Sequence, residues 1–345
     1  MSMKRIGVFF GGKSGEHEIS RMSVVSVMGA IDKEKYEIVK IGITKKGQWR
    51  LFEGEDSHIE DGRWEEESKP LNIGNLRQMI DFAFPVLHGP YGEDGTIQGL
   101  FEMMDIPYAG CGVLSSSACM DKATTKKLFE EAGIPTSAFH LVYGEDVAED
   151  VEKVADEIEA DLSYVMYVKP SNMGSSVGIS KVRNREELKE ALVLAAKYDR
   201  RILVEEGVNC REVETGVIGN RYPEAAAVGE IQATKDFYDY DAKYTDDAGT
   251  IICIPADLPK YISEKIREYA KRAYIALDCS GFARVDFFVE KGTGEVFINE
   301  INTIPGFTKY SMFPSLWAEA GVPFGELVER IIDYGYERYN AKNNG

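Results

Sequence analysis

The sequence predicts an α/β protein of two or three domains whose first unit is built on a parallel sheet covered on both faces. Three observations carry that expectation. Short apolar runs alternate with amphipathic helical stretches over the first third of the chain, the pattern of strands joined by helical crossovers. At 345 residues the chain is longer than one ordinary core organises. Apolar residues make up 44% and charged residues 28%, close to globular averages, which excludes wholesale disorder.

In chain order, Lys4 to Phe10 reads as a buried strand, Ile19 to Ile31 as a helix and Tyr36 to Thr44 as a second strand. Lys45-Lys46-Gly47-Gln48 reads as a hairpin turn into Trp49 to Phe52, and the acidic stretch 53–69 as a surface excursion. Asp81 to Leu87 is a third strand, entering the corner His88-Gly89-Pro90-Tyr91-Gly92-Glu93-Asp94-Gly95, and a helix over Thr96 to Met104 follows. A second unit opens near Asp121 with a helix over 121–132, stopped by Gly133 and Pro135. Strand Tyr164 to Lys169 leads into the glycine- and serine-rich segment 171–178, then strand Ile179 to Val182, helix 184–198 and strand Ile202 to Glu206. The third unit holds Glu212 to Ile218, a polar and aromatic stretch from Lys235 to Gly249, and a long helix near 258–277. Ile262, Ile266, Tyr269, Ala273 and Leu277 mark the buried face of that helix. Strands Phe282 to Glu290 and Glu295 to Asn302 flank the turn Lys291-Gly292-Thr293-Gly294, and helices near 311–320 and 324–338 finish the chain. The expected domains are 1–120, 121–208 and 209–345.

Charge narrows the function. Lys and Arg total 40 against 58 Asp and Glu, a net −18, so the overall field repels nucleic acid. A nucleotide binds such a protein only where Lys, Arg or a divalent metal reverses the sign locally. Five scattered cysteines with no C-x-x-C pair, and four separated histidines, argue against a disulfide scaffold or a structural zinc site. The apolar run Ile6 to Phe10 is too short for a secretory signal, and no stretch approaches the ~18 apolar residues of a membrane span. The expectation is a reduced, soluble, cytoplasmic protein.

Gly7-Val8-Phe9-Phe10-Gly11-Gly12-Lys13-Ser14 matches the phosphate-loop pattern G-x-x-x-x-G-K-[ST] letter for letter. Three of its variable positions belong to a buried strand, and the helix that should begin at the Lys starts late, behind Glu16 and Glu18. The match is rejected in favour of a strand followed by a glycine turn.

A different constellation carries chemistry. The hairpin from Ser171 to Gly178 can lay backbone amides over phosphate oxygens, with Lys169 just before it. Lys122 opens a helix; alone it reads as a surface lysine. Glu205-Glu206-Gly207-Val208, with Glu212 beyond, can meet a base and ribose, and reads equally as exposed acids at a strand end. Arg284 and Asp286 share one strand face, as do Glu300 and Asn302. If the two strands pair, Asp286, Glu300 and Asn302 form a hard-oxygen set suited to Mg2+ or Mn2+, the alternative being an exposed face of ordinary ion pairs.

The ordered series Gly11-Gly12-Lys13-Ser14-Gly15-Glu16, His88-Gly89, Gly92-Glu93-Asp94-Gly95, Met120-Asp121-Lys122, Val168-Lys169-Pro170, Gly174-Ser175-Ser176-Val177-Gly178, Lys243-Tyr244, Arg284-Val285-Asp286, Glu300-Ile301-Asn302-Thr303 and Pro305-Gly306 closely resembles D-alanine–D-alanine ligases of the ATP-grasp superfamily, from residue 4 to about 335. The resemblance implies a three-domain ATP-grasp architecture with a Rossmann-like N-terminal domain and ATP held between the two C-terminal domains. It implies a reaction that activates one D-alanine as an acyl phosphate and joins it to a second, for peptidoglycan precursors. By resemblance, Lys122 and Lys169 contact phosphates, Ser175 and Ser176 lie in the covering loop, and Glu205, Glu206, Val208, Glu212 and Phe237 serve the nucleoside. Asp286, Glu300 and Asn302 hold two magnesium ions or manganese. Glu16 anchors the first ammonium and is linked to Ser175 and Tyr244; His88 lies nearby; Arg284 and the Gly306 amide face the oxyanion; Lys243 reaches the transferred phosphoryl group. Ser311 meets the second carboxylate, with Met312 shaping that subsite. Resistance-type ligases that use D-serine or D-lactate keep this mechanism. In the lactate case the position of Tyr244 is often not Tyr, and the one after Ser311 is often Arg, so Tyr244 and Met312 favour D-alanine. A homodimer is also implied.

Overall fold

The computed structural model describes residues 3–174, 177–232 and 251–343. Its strands form three sheets. The first comprises β1 (Lys4–Gly11), β2 (Tyr36–Ile43), β3 (Trp49–Phe52), β4 (Lys69–Pro70) and β5 (Phe82–Pro85), in the order β4-β3-β2-β1-β5. β1 is an interior strand, its Ile6, Val8, Phe9 and Phe10 all fully buried, and it runs parallel to both neighbours. The expectation of a parallel sheet holds for β2-β1-β5. β3 and β4 join antiparallel, so the sheet is mixed, because the predicted turn at Lys45–Gln48 folds β3 back along β2.

The stretch 53–69 is more than a surface excursion. Two short helices, Ser57–Glu60 and Trp64–Glu67, bury Ile59 and Trp64 completely against the first sheet. Gly42 on β2 makes room for that indole, since a Cβ there would sit 2.1 Å from the Trp64 ring. Trp64→Ala should cost about 3–5 kcal/mol of stability.

The second sheet is antiparallel: β6 (Phe139–Tyr143), β7 (Met166–Pro170), β8 (Ser180–Val182) and β9 (Arg201–Glu206), in the order β6-β9-β7-β8. Helices Gly144–Asp161 and Arg185–Ala195 close its core through Val154, Ile158, Leu188 and Leu192. The third sheet is antiparallel too: β10 (Cys210–Gly219), β11 (Glu224–Gln232), β12 (Ile251–Cys253), β13 (Gly281–Glu290) and β14 (Val296–Asn302), in the order β12-β11-β10-β13-β14. Helix Lys260–Ala276 packs Ile262, Ile266, Ala270, Ala273 and Tyr274 with Ala283, Val285, Phe287 and Val289 of β13. Side chains alternate along a strand, so Arg284 and Asp286 are turned to the opposite face.

That face meets the first sheet. The C-terminal helix Phe324–Asn343 folds back and buries Leu327, Val328, Ile331 and Ile332 in one cluster with Ile6 and Phe82 of the first sheet, Phe282 of the third, and Phe307 of the segment after β14. The first and third sheets therefore share a core, which fixes the ends of β1, β5 and β14 against each other.

Candidate active site

The apparent phosphate loop is a strand and a turn. β1 runs through Gly11, the next helix begins only at His17, and the Lys13 ammonium stacks over the Tyr91 ring at 4.6 Å.

The first corner of the site lies at the C-terminal ends of β1 and β5, where open parallel sheets gather ligands. Glu16 stands just before helix His17–Ala30, its side chain not spent on capping, and is largely buried. A Cβ on Gly89 would lie 2.7 Å from its Oε2 and one on Gly174 would lie 3.2 Å away. Gly89, at φ +74°, is thus required by conformation and by space. The same two distances bring the glycine-rich hairpin of the second unit against the carboxylate of the first.

Behind Glu16, two side chains hold the segment after β14. His88 Nδ1 donates to the Ile304 carbonyl at 2.8 Å, which leaves Nε2 to accept from the Ser23 hydroxyl at 3.1 Å. Burial pushes the His88 imidazolium below its usual range, and the Glu16 charge only partly opposes this. Glu93 accepts from the Gly89 amide and from the Ile304 amide, both at 2.8 Å. Burial, reinforced by the Glu16 charge, pushes the Glu93 carboxyl up to about 8. Phe307 N also reaches Ser23 Oγ, at 3.4 Å. The backbone on either side of Gly306 is therefore pinned to the first unit. Ser311 lies beside it: its Oγ would be 3.2 Å from a Cβ on Gly306 and takes a hydrogen bond from Thr308 N at 3.1 Å. Met312 is buried, its sulfur packed over Gly229 of β11.

The second corner is cationic. Asp121 caps the helix Lys122–Glu131 through Thr124 N and also receives Ser171 Oγ at 3.0 Å and Asn172 Nδ2 at 2.9 Å, with Arg201 paired to it. Burial opposes its ionisation, but the bonds from Thr124 and Asn172 and the Arg201 charge hold it below the usual carboxylate range. Asp121 thus ties the base of the hairpin to the start of the helix. Lys122 Nζ donates to the Met173 carbonyl at 2.7 Å and lies 3.8 Å from Glu300 Oε2. Lys169 pairs with Glu205, whose other oxygen meets Lys126 at 2.7 Å. Burial alone would raise Glu205, yet the two lysines hold it at about 2. Glu205 is thus turned inward from its strand end, while the Glu206 carboxylate accepts from Ser163 N at 3.2 Å.

Between the second and third sheets runs a cleft of about 750 Å³. Tyr167 and Lys181 line one wall and Val208, Glu212 and Gln232 the other. Its size and mixed polarity suit a nucleoside. On the adjoining face of the third sheet β13 and β14 pair as expected, and a bulge after Asp286 sets Asp286 opposite Glu300 and Arg284 opposite Asn302. Arg284 grips Asp286 at 2.7 and 2.8 Å and lies 2.9 Å from Glu214, and Asn302 Nδ2 donates to Asp286 at 2.9 Å. Burial works against the guanidinium, but Asp286 and Glu214 more than offset it, so Arg284 stays charged. Two carboxylates and an amide oxygen on facing strands are a hard-oxygen donor set, chemically suited to Mg2+ or Mn2+. No trio of His, Cys, Asp and Glu among the described residues forms a metal cluster by itself. Such a set leaves coordination positions for water and phosphate.

Ser175, Ser176, Phe237, Lys243 and Tyr244 lie outside the described residues. Asp121, Lys126, Glu93 and Glu214 carry structural weight that the sequence reading did not assign. Asp121 and Glu93 stand in the motifs Met120-Asp121-Lys122 and Gly92-Glu93-Asp94-Gly95, and Glu214 lies two residues from Glu212 on one strand, whereas Lys126 left no signal.

An antiparallel sheet under a glycine-rich hairpin, a second antiparallel sheet bearing acids, and a cleft between them are the architecture of ATP-grasp enzymes. The Rossmann-like sheet placed before them narrows the class to ligases that activate a carboxylate. Residues 5–111 match the family model for the D-ala D-ala ligase N-terminus and residues 128–333 that for its C-terminus. The D-alanine–D-alanine ligase of Thermoanaerobacter sp. strain X514 is 50% identical over 357 residues, covering 99% of both chains. That of Ruminiclostridium cellulolyticum is 50% identical over 364 residues, covering 98% of this chain and 97% of its own. Among solved structures, the VanG D-Ala:D-Ser ligase of Enterococcus faecalis superposes with a TM-score of 0.89 at 38% identity, covering 97% of this chain and 100% of that one. The D-alanine–D-alanine ligase of Coxiella burnetii gives 0.87 at 32% identity, covering 100% and 97%. The chain belongs to the D-alanine–D-alanine ligase family, whose members depend on ATP.

Proposed function

We propose that the two corners of this cleft divide one reaction between them: the lysine-rich corner presents ATP, and the Glu16 corner presents the D-alanine to be activated. The chain joins two D-alanines into D-alanyl-D-alanine, a peptidoglycan precursor. The observation that carries the division of labour is the approach of the Glu16 carboxylate to Gly174, which sets the phosphate-covering hairpin directly against an ammonium site.

Glu16 takes the ammonium of the first D-alanine, with neutral His88 beside it. Lys122 and Lys169 hold the ATP phosphates under the 171–178 hairpin, where Ser175 and Ser176 add donors. Glu206, Val208, Glu212 and Phe237 serve the adenosine, with the Glu205 carboxylate turned away from it to hold Lys169, and Lys243 serves the transferred phosphoryl group. Asp286, Glu300 and Asn302 would hold two magnesium ions, or manganese, which when bound screen the charge of the phosphates. A carboxylate is a poor electrophile, so its oxygen first attacks the γ-phosphorus, the bond to the β–γ bridging oxygen breaks and ADP departs, and positively charged groups must offset the meeting of two anions. The amine of the second D-alanine, its carboxylate at Ser311 and its methyl near Met312, then attacks the acyl phosphate. Arg284 and the Gly306 amide stabilise the oxyanion, and phosphate leaves. Tyr244 and Ser175, linked to Glu16, couple loop closure to substrate. We keep the division into 1–120, 121–208 and 209–345, one sheet in each, although Phe129 and Ile134 of the second part pack into the core under the third sheet. We also infer a homodimer in the cytoplasm; no helix among the described residues is long and apolar enough to cross a membrane.

The test supplies purified protein with ATP, magnesium and D-alanine, alone or with D-serine or D-lactate, and identifies products by mass. D-Alanyl-D-alanine as the main product, with ADP and phosphate, is expected in every mixture. A mixed product dominating would assign the second subsite to the other substrate, and no product would refute the reading.

A further inference from the structure

The buried trio Lys126–Glu205–Lys169 contains a lysine that no substrate can touch. Lys126 is 1% exposed. Its ammonium donates to Thr136 Oγ1 at 2.6 Å and Ser137 Oγ at 2.9 Å and pairs with Glu205 Oε1 at 2.7 Å, so its three protons are all engaged. Thr136 in turn donates to the Ile298 carbonyl of β14 at 3.0 Å, which anchors the cluster to the strand bearing Glu300 and Asn302. Glu205 gives one oxygen to Lys126 and the other to Lys169. Lys169 is the member whose side chain reaches solvent, at 12% exposed.

We propose that Lys126 is a positioning residue that keeps Lys169 available to phosphate by occupying half of the Glu205 carboxylate. Lys169 and Glu205 alone would form a neutral pair, with both carboxylate oxygens free to chelate the ammonium. Such a pair offers no net attraction to a polyanion in a protein of charge −18. Adding Lys126 leaves the trio one positive charge, and only Lys169 is placed to express it in the cleft. Glu205 then serves as a fixed rail that orients Lys169, held on its far side by a cation the ligand never meets. This inference rests on the reading of Lys169 as a phosphate ligand.

The test compares ATP with adenosine, which has the base and ribose but no charge, by titration calorimetry on the full chain. Lys126→Met should weaken ATP by about tenfold or more, the scale of one charge-assisted contact, and leave adenosine unchanged. Lys126→Arg should retain most of the ATP affinity. Glu205→Gln should raise the ratio of ATP to adenosine affinity, and Lys126→Met with Glu205→Gln should return it to the parent value. These last two variants ask the same question if Lys126→Met does not fold. Equal loss of ATP and adenosine in Lys126→Met, or a fall of the ratio in Glu205→Gln, overturns the proposal. A Lys169→Met protein that binds ATP as the parent does would instead remove the reading on which it rests.

Discussion

Two glutamates, one in each corner of the site, are pushed in opposite directions. Glu93, beside the Glu16 carboxylate and held by two backbone amides, is raised to about 8. Glu205, between Lys126 and Lys169, is held at about 2. Burial pushes both carboxyls up; at Glu93 it prevails with the Glu16 charge behind it, and at Glu205 the two lysines reverse it. The first corner gathers the acids Glu16 and Glu93, which suits it to receive an ammonium. The second has more cations than acid, which suits it to receive phosphate.

The largest test of that contrast removes the charge at the phosphate corner. Lys169→Met should lower kcat/KM on the order of 10²-fold or more, and so should Glu300→Gln in excess magnesium, because both stabilise charge during phosphoryl transfer. Activity within a few-fold of the parent would move the phosphates elsewhere. At the ammonium corner, Glu16→Gln should raise KM for the first D-alanine roughly 10- to 150-fold and leave ATP affinity alone, whereas Ser311→Ala should raise that of the second. Steady-state kinetics over a wide D-alanine range separates the two constants.

A subtler test follows the two glutamates through urea unfolding at stepped pH. Glu205 binds its proton less tightly in the folded protein than its ordinary 4.5, so its contribution to stability is present above that value and is lost as pH falls toward about 2. Glu93 binds its proton more tightly when folded, so stability declines as pH rises from 4.5 through about 8. Glu205→Gln should flatten the acid limb and Glu93→Gln the alkaline limb, and an exchange of the two effects would contradict the comparison. Smallest of all, Lys13→Ala should leave ATP affinity unchanged, since that ammonium rests on Tyr91 rather than in the cleft.

Local pattern made some of this legible and hid the rest. β1 and β13 declare themselves through unbroken or alternating apolar residues, and the antiparallel pairing of β13 with β14 follows from the short turn between them, whereas the register that sets Asp286 opposite Glu300 comes from a bulge at Asp286/Phe287 that no local pattern announces. β11 (EAAAVGEIQ) carries little strand propensity, and its conformation comes from pairing with β10. Helix Gly144–Asp161 shows few apolar residues among many acids, and its buried stripe of Val147, Val154 and Ile158 acquires meaning only against the second sheet. Trp64 lies in an acidic segment, and the glycine that admits it is on a different strand. The site divides the same way. Lys122, Lys169, Glu16 and Asp286 stand in recognisable motifs, whereas Glu93 works through an amide 211 residues away and Lys126 through a glutamate on another strand.

The central claim is that a phosphoryl group crosses from the lysine corner to a carboxylate held at the Glu16 corner. D-Alanine labelled with ¹⁸O in its carboxylate tests this directly. If the carboxylate oxygen attacks the γ-phosphorus and leaves with it when the second amine attacks, each phosphate released must carry one labelled oxygen. Phosphate free of label, formed in step with dipeptide, would show that the carboxylate is activated by another route and that the two corners do not act as described.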